Sequence, residues 1–196
     1  MTARQDNPAN IDSSLLGRPL GRRHVLGFGL GAALVGMMPG SALATLPASG
    51  NRSVGFFNTH TNEVLKATYW RDGKYDVGAL KDINYILRDF RTGDIFRMDT
   101  KLMDLLVELH RRSGSRKPFE IISGYRSPRT NAMLASESGA VAKHSMHMQG
   151  KAIDIRLMDV ALNDLRATAV GMKAGGVGYY TRSNFVHVDT GRVRYW

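Results

Sequence analysis

Two short stretches in the C-terminal quarter of the chain alternate strictly between apolar and polar positions. In "AIDIR", Ile153 and Ile155 fall on one side of an extended backbone, while Ala152, Asp154 and Arg156 fall on the other. In "FVHVDT", Val186 and Val188 oppose Phe185, His187 and Asp189. A period of two predicts strands whose valines and isoleucines face a core. Asp154, His187 and Asp189 then project together from the opposite face, and Asp154 meets His187 if the two strands are neighbours. Upstream, "SVGFFNTHTNEVLKATYW" from Ser53 places two aromatic or β-branched runs around the polar "NTHTNE", which predicts a hairpin.

Elsewhere the period is helical. Leu80, Ile83, Leu87 and Phe90 predict an amphipathic helix stopped by "RTGD". Asp99 is placed to cap a second, with Leu102, Leu105, Leu106 and Leu109 as its buried stripe and "SGSRKP" as its end. "FEIIS" (119–123) predicts a short strand, and Pro128 opens a helix through Met133 and Leu134. Leu162, Leu165 and Ala169 give one more helix. "GGVGYYT" and "FVHVDTG" close the chain as strands joined by "RSN", with "RVRYW" as a final packed edge. The pattern is α+β, helices packed on a small, mainly antiparallel sheet.

The N-terminal 44 residues stand apart. "GRRHVLGFGLGAALVGMMPGSALA" has paired arginines, Arg22 and Arg23, then an apolar run from Val25 to Met38, then Ala42-Leu43-Ala44. That run of roughly 14 residues is short of the ~20 a membrane span needs. It predicts a cleavable export signal of the twin-arginine type over residues 1–44, followed by a single domain over 45–196. No membrane span is expected after cleavage; an uncleaved anchor is the alternative.

Composition narrows the chemistry. The chain has 196 residues and a formal charge of +10. Only four of its 27 basic and two of its 17 acidic residues precede residue 45, so the remainder still carries +8. Such a surface suits a polyanion: nucleic acid, an anionic membrane face or a cell-wall polymer. There is no cysteine, which excludes disulfides, thiolate metal sites and a cysteine nucleophile. No G-x-S-x-G or phosphate-binding loop is present, and "GVGYY" is too short for a dinucleotide fingerprint.

A metal site must therefore use His, Asp or Glu. After the signal the histidines are His60, His110, His144, His147 and His187. His60 falls in the hairpin turn and His110 on a helix end, so both are expected at the surface. Gly150 lets His147 fold back toward Asp154 and His187. Two imidazoles and one carboxylate leave a position open on zinc, as catalytic sites require. On spacing alone, a turn leading into a buried strand remains the alternative.

Three motifs in order, "SGYRS" at 123–127, S-x-H-x-x-G-x-A-x-D at 145–154 and "FVHVDTG" at 185–191, resemble those of a zinc peptidase superfamily. It comprises D-alanyl-D-alanine carboxypeptidases and dipeptidases, with lysostaphin-like peptidases and the hedgehog signalling domain sharing its core. "YRSPRTNAML", "HMQGKAIDIR" and "GGVGYYTRSNFVHVDTGRVRYW" are most similar to its murein endopeptidase K-like branch. The resemblance implies His147, Asp154 and His187 as zinc ligands, Arg126 near a substrate carboxylate or carbonyl, and Ser145 as a supporting or substrate contact. It implies a periplasmic enzyme cutting peptidoglycan stem-peptide cross-links, with no nucleic-acid partner. A D-alanyl-D-alanine carboxypeptidase or dipeptidase, or a non-catalytic wall-binding module, are the alternatives. Relatives often carry the general base two or three residues before the last ligand. Phe185 and Asn184 stand there and cannot serve, so Asp189 becomes the candidate base, or else a residue orienting a ligand.

Overall fold

The computed structural model describes residues 50–138 and 142–196; the export signal expected over residues 1–44 lies outside them. The predicted hairpin forms from β1 (Arg52–Asn58) and β2 (Val64–Arg71), paired antiparallel. The short β3 (Lys74–Tyr75) returns along β2. Helix α1 (Val77–Ile86) follows, with Asp76 capping it by accepting from the Ala79 amide. It ends four residues before Phe90. Leu87 closes the helix as its C-cap and is fully buried there, so the apolar spacing continues past the helix itself.

Helix α2 (Thr100–Ser113) starts at Asp99, whose carboxylate accepts from the Lys101 amide, and stops at Gly114 in the left-handed region. Its predicted stripe Leu102, Leu105, Leu106 and Leu109 is buried. Strand β4 (Phe119–Ser123), helix α3 (Pro128–Ser138), a single 3-10 turn (Met146–Gln149) and β5 (Ala152–Arg156) come next. Helix α4 (Leu162–Met172), the hairpin β6 (Gly176–Tyr180) and β7 (Phe185–Asp189), and the short β8 (Arg194–Tyr195) complete the chain.

The eight strands form one sheet, in the order β3-β2-β1-β4-β5-β7-β6-β8. Its pairs are antiparallel except β1–β4 and β6–β8. Strand alternation predicts faces but not partners, so neither parallel pair was visible in the pattern, and the sheet is wider than the pattern suggests. Helices α2 and α4 touch each other and pack on β1, β6 and β7. Val54, Phe56, Phe119, Ile121, Ile153, Ile155, Val186 and Val188 share their core. Among the described residues no helix is long and apolar enough to cross a membrane.

One buried charge holds the end of α2. Glu108 is almost fully buried and accepts from Arg111 Nε and Nη2 and from Arg112 Nε at 2.6–2.8 Å. The Arg111 hydrogen bonds, against the pull of burial, push its carboxyl down to about 2. A lowered folded pKa means its stabilisation is full above the ordinary 4.5 and drains as pH falls toward 2. Glu108→Gln is expected to cost about 1 kcal/mol at neutral pH and to remove this acid limb. Urea midpoints across that range test it; an unchanged acid limb would assign the limb to another group.

Candidate metal centre

The β5–β7 register places Asp154 directly opposite His187 and Ala152 opposite Asp189. Ile153, Ile155, Val186 and Val188 face the core, as the alternation predicts. The opposite face is not open to solvent: Asp154 is 5% exposed, His187 7% and Asp189 0%. The segment after β4 and the 3-10 turn cover it. Ser145 caps that turn, its Oγ accepting from the His147 amide at 3.3 Å. Gly150 ends it at φ +64, with its own N–H bonded to the His147 carbonyl, and a Cβ there would overlap the Arg97 carbonyl. Only glycine fits both demands, and the tight exit brings His147 back over β5.

The three side chains then meet. His147 Nε2 lies 3.2 Å from Asp154 Oδ1 and 3.2 Å from His187 Nδ1, and His187 Nδ1 lies 2.8 Å from Asp154 Oδ1. These donors all fall within 4.8 Å of one another. Atoms ~2.0–2.1 Å from a tetrahedral zinc ion would sit ~3.3 Å apart, close to the observed edges. The outer nitrogens support the same reading. His147 Nδ1 is 2.7 Å from the Gly124 carbonyl, which can only accept, so Nδ1 carries a proton and Nε2 is the nitrogen turned toward the cluster. His187 Nε2 donates to Asp189 Oδ2 at 3.0 Å, which leaves Nδ1 facing the cluster. Orienting a ligating imidazole through its far N–H is the usual support of a metal centre. The donor set fits zinc.

Charge is balanced within this group. Burial alone would raise the Asp154 carboxyl, but the charges and hydrogen bonds of His147 and His187 outweigh it and hold it below the usual range. Burial opposes protonation of His187, yet its bonds to Asp154 and Asp189 push it up to about 9. In the metal-free protein His187 therefore holds a proton at neutral pH that a metal ion must displace. That stabilisation is complete below the ordinary 6.5 and is lost as pH rises through about 9. Zinc uptake at pH 7 is accordingly expected to release protons, read as a dependence of calorimetric heat on buffer ionisation enthalpy. Heats independent of buffer would contradict a protonated His187.

Asp189 sits differently from a free carboxylate. Its Oδ2 accepts from His187 Nε2 and from Arg194 Nη2 at 2.7 Å; its Oδ1 accepts from the Gly176 and Gly191 amides and Arg194 Nη1. Although burial opposes it, these bonds hold its pKa well below the usual range. Arg126 reaches the other side of the cluster, Nη2 3.6 Å from Asp154 Oδ2, and its buried Nε has no partner among the described residues. Burial pulls its pKa below the ordinary arginine value, with Asp154 opposing. His144 is exposed and lies outside the cluster. His60 is exposed, stacked on Phe90 at 3.6 Å, and His110 is half-buried against Phe119.

Two partners were not visible in the sequence. The Gly124 carbonyl is a backbone group, and only the "SGYRS" motif hinted at its place. A Cβ at Gly124 would overlap the Leu87 carbonyl, which accepts from the Tyr125 amide at 2.7 Å. Arg194 in "RVRYW" reads as a surface cation until the fold brings it to Asp189.

Comparison with known proteins gives a consistent result. The family model described as peptidoglycan L,D-endopeptidase MepK matches residues 46–196. The peptidoglycan L,D-endopeptidase MepK of Escherichia coli (strain K12) is 43% identical over 178 residues, 89% of this chain and 96% of that protein. A protein of Haemophilus influenzae described as a probable peptidoglycan L,D-endopeptidase MepK is 39% identical over 176 residues, 89% of this chain and 95% of its own. No solved structure gives a significant match. With the family matched over most of the chain and relatives this similar, the chain belongs to the peptidoglycan L,D-endopeptidase MepK family.

Proposed function

We propose that this chain is a zinc-dependent endopeptidase that hydrolyses peptide cross-links between peptidoglycan stem peptides in the periplasm. The observation that carries this reading is the convergence of His147, Asp154 and His187, with each imidazole fixed by a separate partner, Gly124 or Asp189. The bond class follows the relatives, which are described as L,D-endopeptidases. Residues 1–44 would export the protein folded, by the twin-arginine route. Zinc bound by the three donors supplies a Lewis acid for the peptide carbonyl and lowers the pKa of water toward ~7.

The chain's own residues do the rest. Gly124 and Asp189 keep the ligand nitrogens aimed inward. Arg126, with its buried unpaired Nε, offers hydrogen bonds to a substrate carbonyl or carboxylate. Ser145 acts by capping the turn that carries His147. Of the two roles the sequence offers Asp189, orientation of His187 is favoured, because both its oxygens are already occupied. The positive charge of the chain suits a polymer bearing many carboxylates.

Incubating zinc-loaded protein with purified cross-linked muropeptide dimers, and separating the products by chromatography, tests the proposal. Conversion of dimers to monomers, blocked by chelator, is expected. Release of terminal D-alanine from monomers with dimers left intact would make the protein a carboxypeptidase. Dimers bound but uncut would make it a wall-binding module.

A further inference from the structure

The stretch "GVGYY" on β6 borders the cluster. Gly178 lies opposite His187 and Tyr180 opposite Phe185, so positions 178 and 180 share the sheet face that carries His187. Gly178 leaves room on that face, and two aromatic rings take it. A Cβ at 178 would lie 2.7 Å from Trp196 Cε2 and 2.8 Å from Tyr180 Cε2. Tyr180 thus leans back along its strand, over Gly178, toward the row that holds His187.

Two contacts fix it there. Its ring stacks on Phe185, centroids 4.5 Å apart and 20° between planes. Trp196 Nε1 donates to the Tyr180 hydroxyl at 2.8 Å, and the Trp196 ring lies 5.2 Å from the His187 ring. Arg126 meets the cluster at Asp154 on β5, across β7 from the strand that carries Tyr180. An indole N–H only donates, so the Tyr180 oxygen is the acceptor in that bond and its own proton remains to be given. Among the described residues none takes it. Phe185 serves as the surface on which Tyr180 rests.

We propose that Tyr180 is a substrate-contacting residue of this centre, its hydroxyl donating a hydrogen bond to the scissile carbonyl oxygen as negative charge develops there, opposite Arg126. The inference rests on the endopeptidase reading. A donor held in place before reaction acts on the transition state more than on bound substrate, and removing one such donor costs ~10²–10³ in kcat.

Tyr180→Phe keeps the ring and its stack and removes only the donor. A fall of ~10²–10³ in kcat on muropeptide dimers is expected, with KM little changed. Trp196→Phe, which leaves the hydroxyl in place, should lose much less. A second readout needs no turnover: binding of a dimer analogue whose scissile amide is a methyleneamine, lacking the carbonyl oxygen, should be equal in wild type and Tyr180→Phe. Weakened binding of that analogue in proportion to lost rate would overturn the proposal, since Tyr180 would then act elsewhere on the substrate. Unchanged kcat in Tyr180→Phe beside an active wild type would also overturn it, and it alone. An inactive wild type would overturn the endopeptidase reading together with it.

Discussion

Replacing His187 with alanine is expected to leave a folded protein that retains no zinc after dialysis and cuts no cross-linked dimer. His187 contributes Nδ1 to the three-donor cluster, 2.8 Å from Asp154 Oδ1 and 3.2 Å from His147 Nε2. Removing a residue that merely supports a ligand costs ~10–100-fold in metal affinity or activity, and removing a ligand costs more. Two donors on neighbouring elements, Asp154 and His147, cannot close a tetrahedral site alone. His144→Ala is the matched control, because His144 is exposed and outside the cluster. Zinc content by mass spectrometry and dimer cleavage should fall together in the first variant and stay at wild-type levels in the second. A His187→Ala protein with full cleavage would remove His187 from the mechanism.

Asp189→Asn should give the second largest effect, with a different signature. Asn presents an amide N–H₂ where five donors converge, from His187, Arg194 and the Gly176 and Gly191 amides. A donor facing a donor in a fully buried position costs on the order of 3 kcal/mol. Zinc affinity should weaken ~10–100-fold, since His187 loses the partner that fixes its tautomer. Excess zinc should then restore much of the cleavage, whereas it restores none in His187→Ala. Asp189 has a lowered folded pKa, so its stabilisation is present above the ordinary 3.8 and is lost as pH falls below it. The variant should therefore unfold with a shallower acid dependence than wild type. Loss of kcat with zinc affinity intact would instead mark Asp189 as the group that moves the proton.

How far this centre could be read from the sequence depends on which forces set each part. Alternation in "AIDIR" and "FVHVDT" follows from strand geometry, so the shared face of Asp154, His187 and Asp189 was legible. Their adjacency was only conditional, because register is a matter of pairing between distant segments; the structure supplies Asp154 opposite His187. Helix α2 was legible because Asp99, the leucine stripe and Gly114 are local signals. The end of α1 was not, since Leu87 keeps the apolar spacing while leaving the helix. Solvent access was also beyond the pattern. Asp154 and His187 turn away from the core, yet the turn from Ser145 to Gly150 closes over that face and both are buried. Tyr180 and Trp196 lie in motifs that carry no chemistry by spacing. Their meeting depends on the space left by Gly178 and on the parallel pairing of β8 with β6.

The central claim is that His147, Asp154 and His187 hold the metal on which cross-link hydrolysis depends. Titrating the metal-free protein with zinc while following dimer cleavage tests it most directly. Cleavage should start from nothing, rise in proportion to added zinc and level at one equivalent, with His187→Ala flat throughout. Full cleavage before zinc is added, or a His187→Ala protein that follows the same curve, would contradict the account.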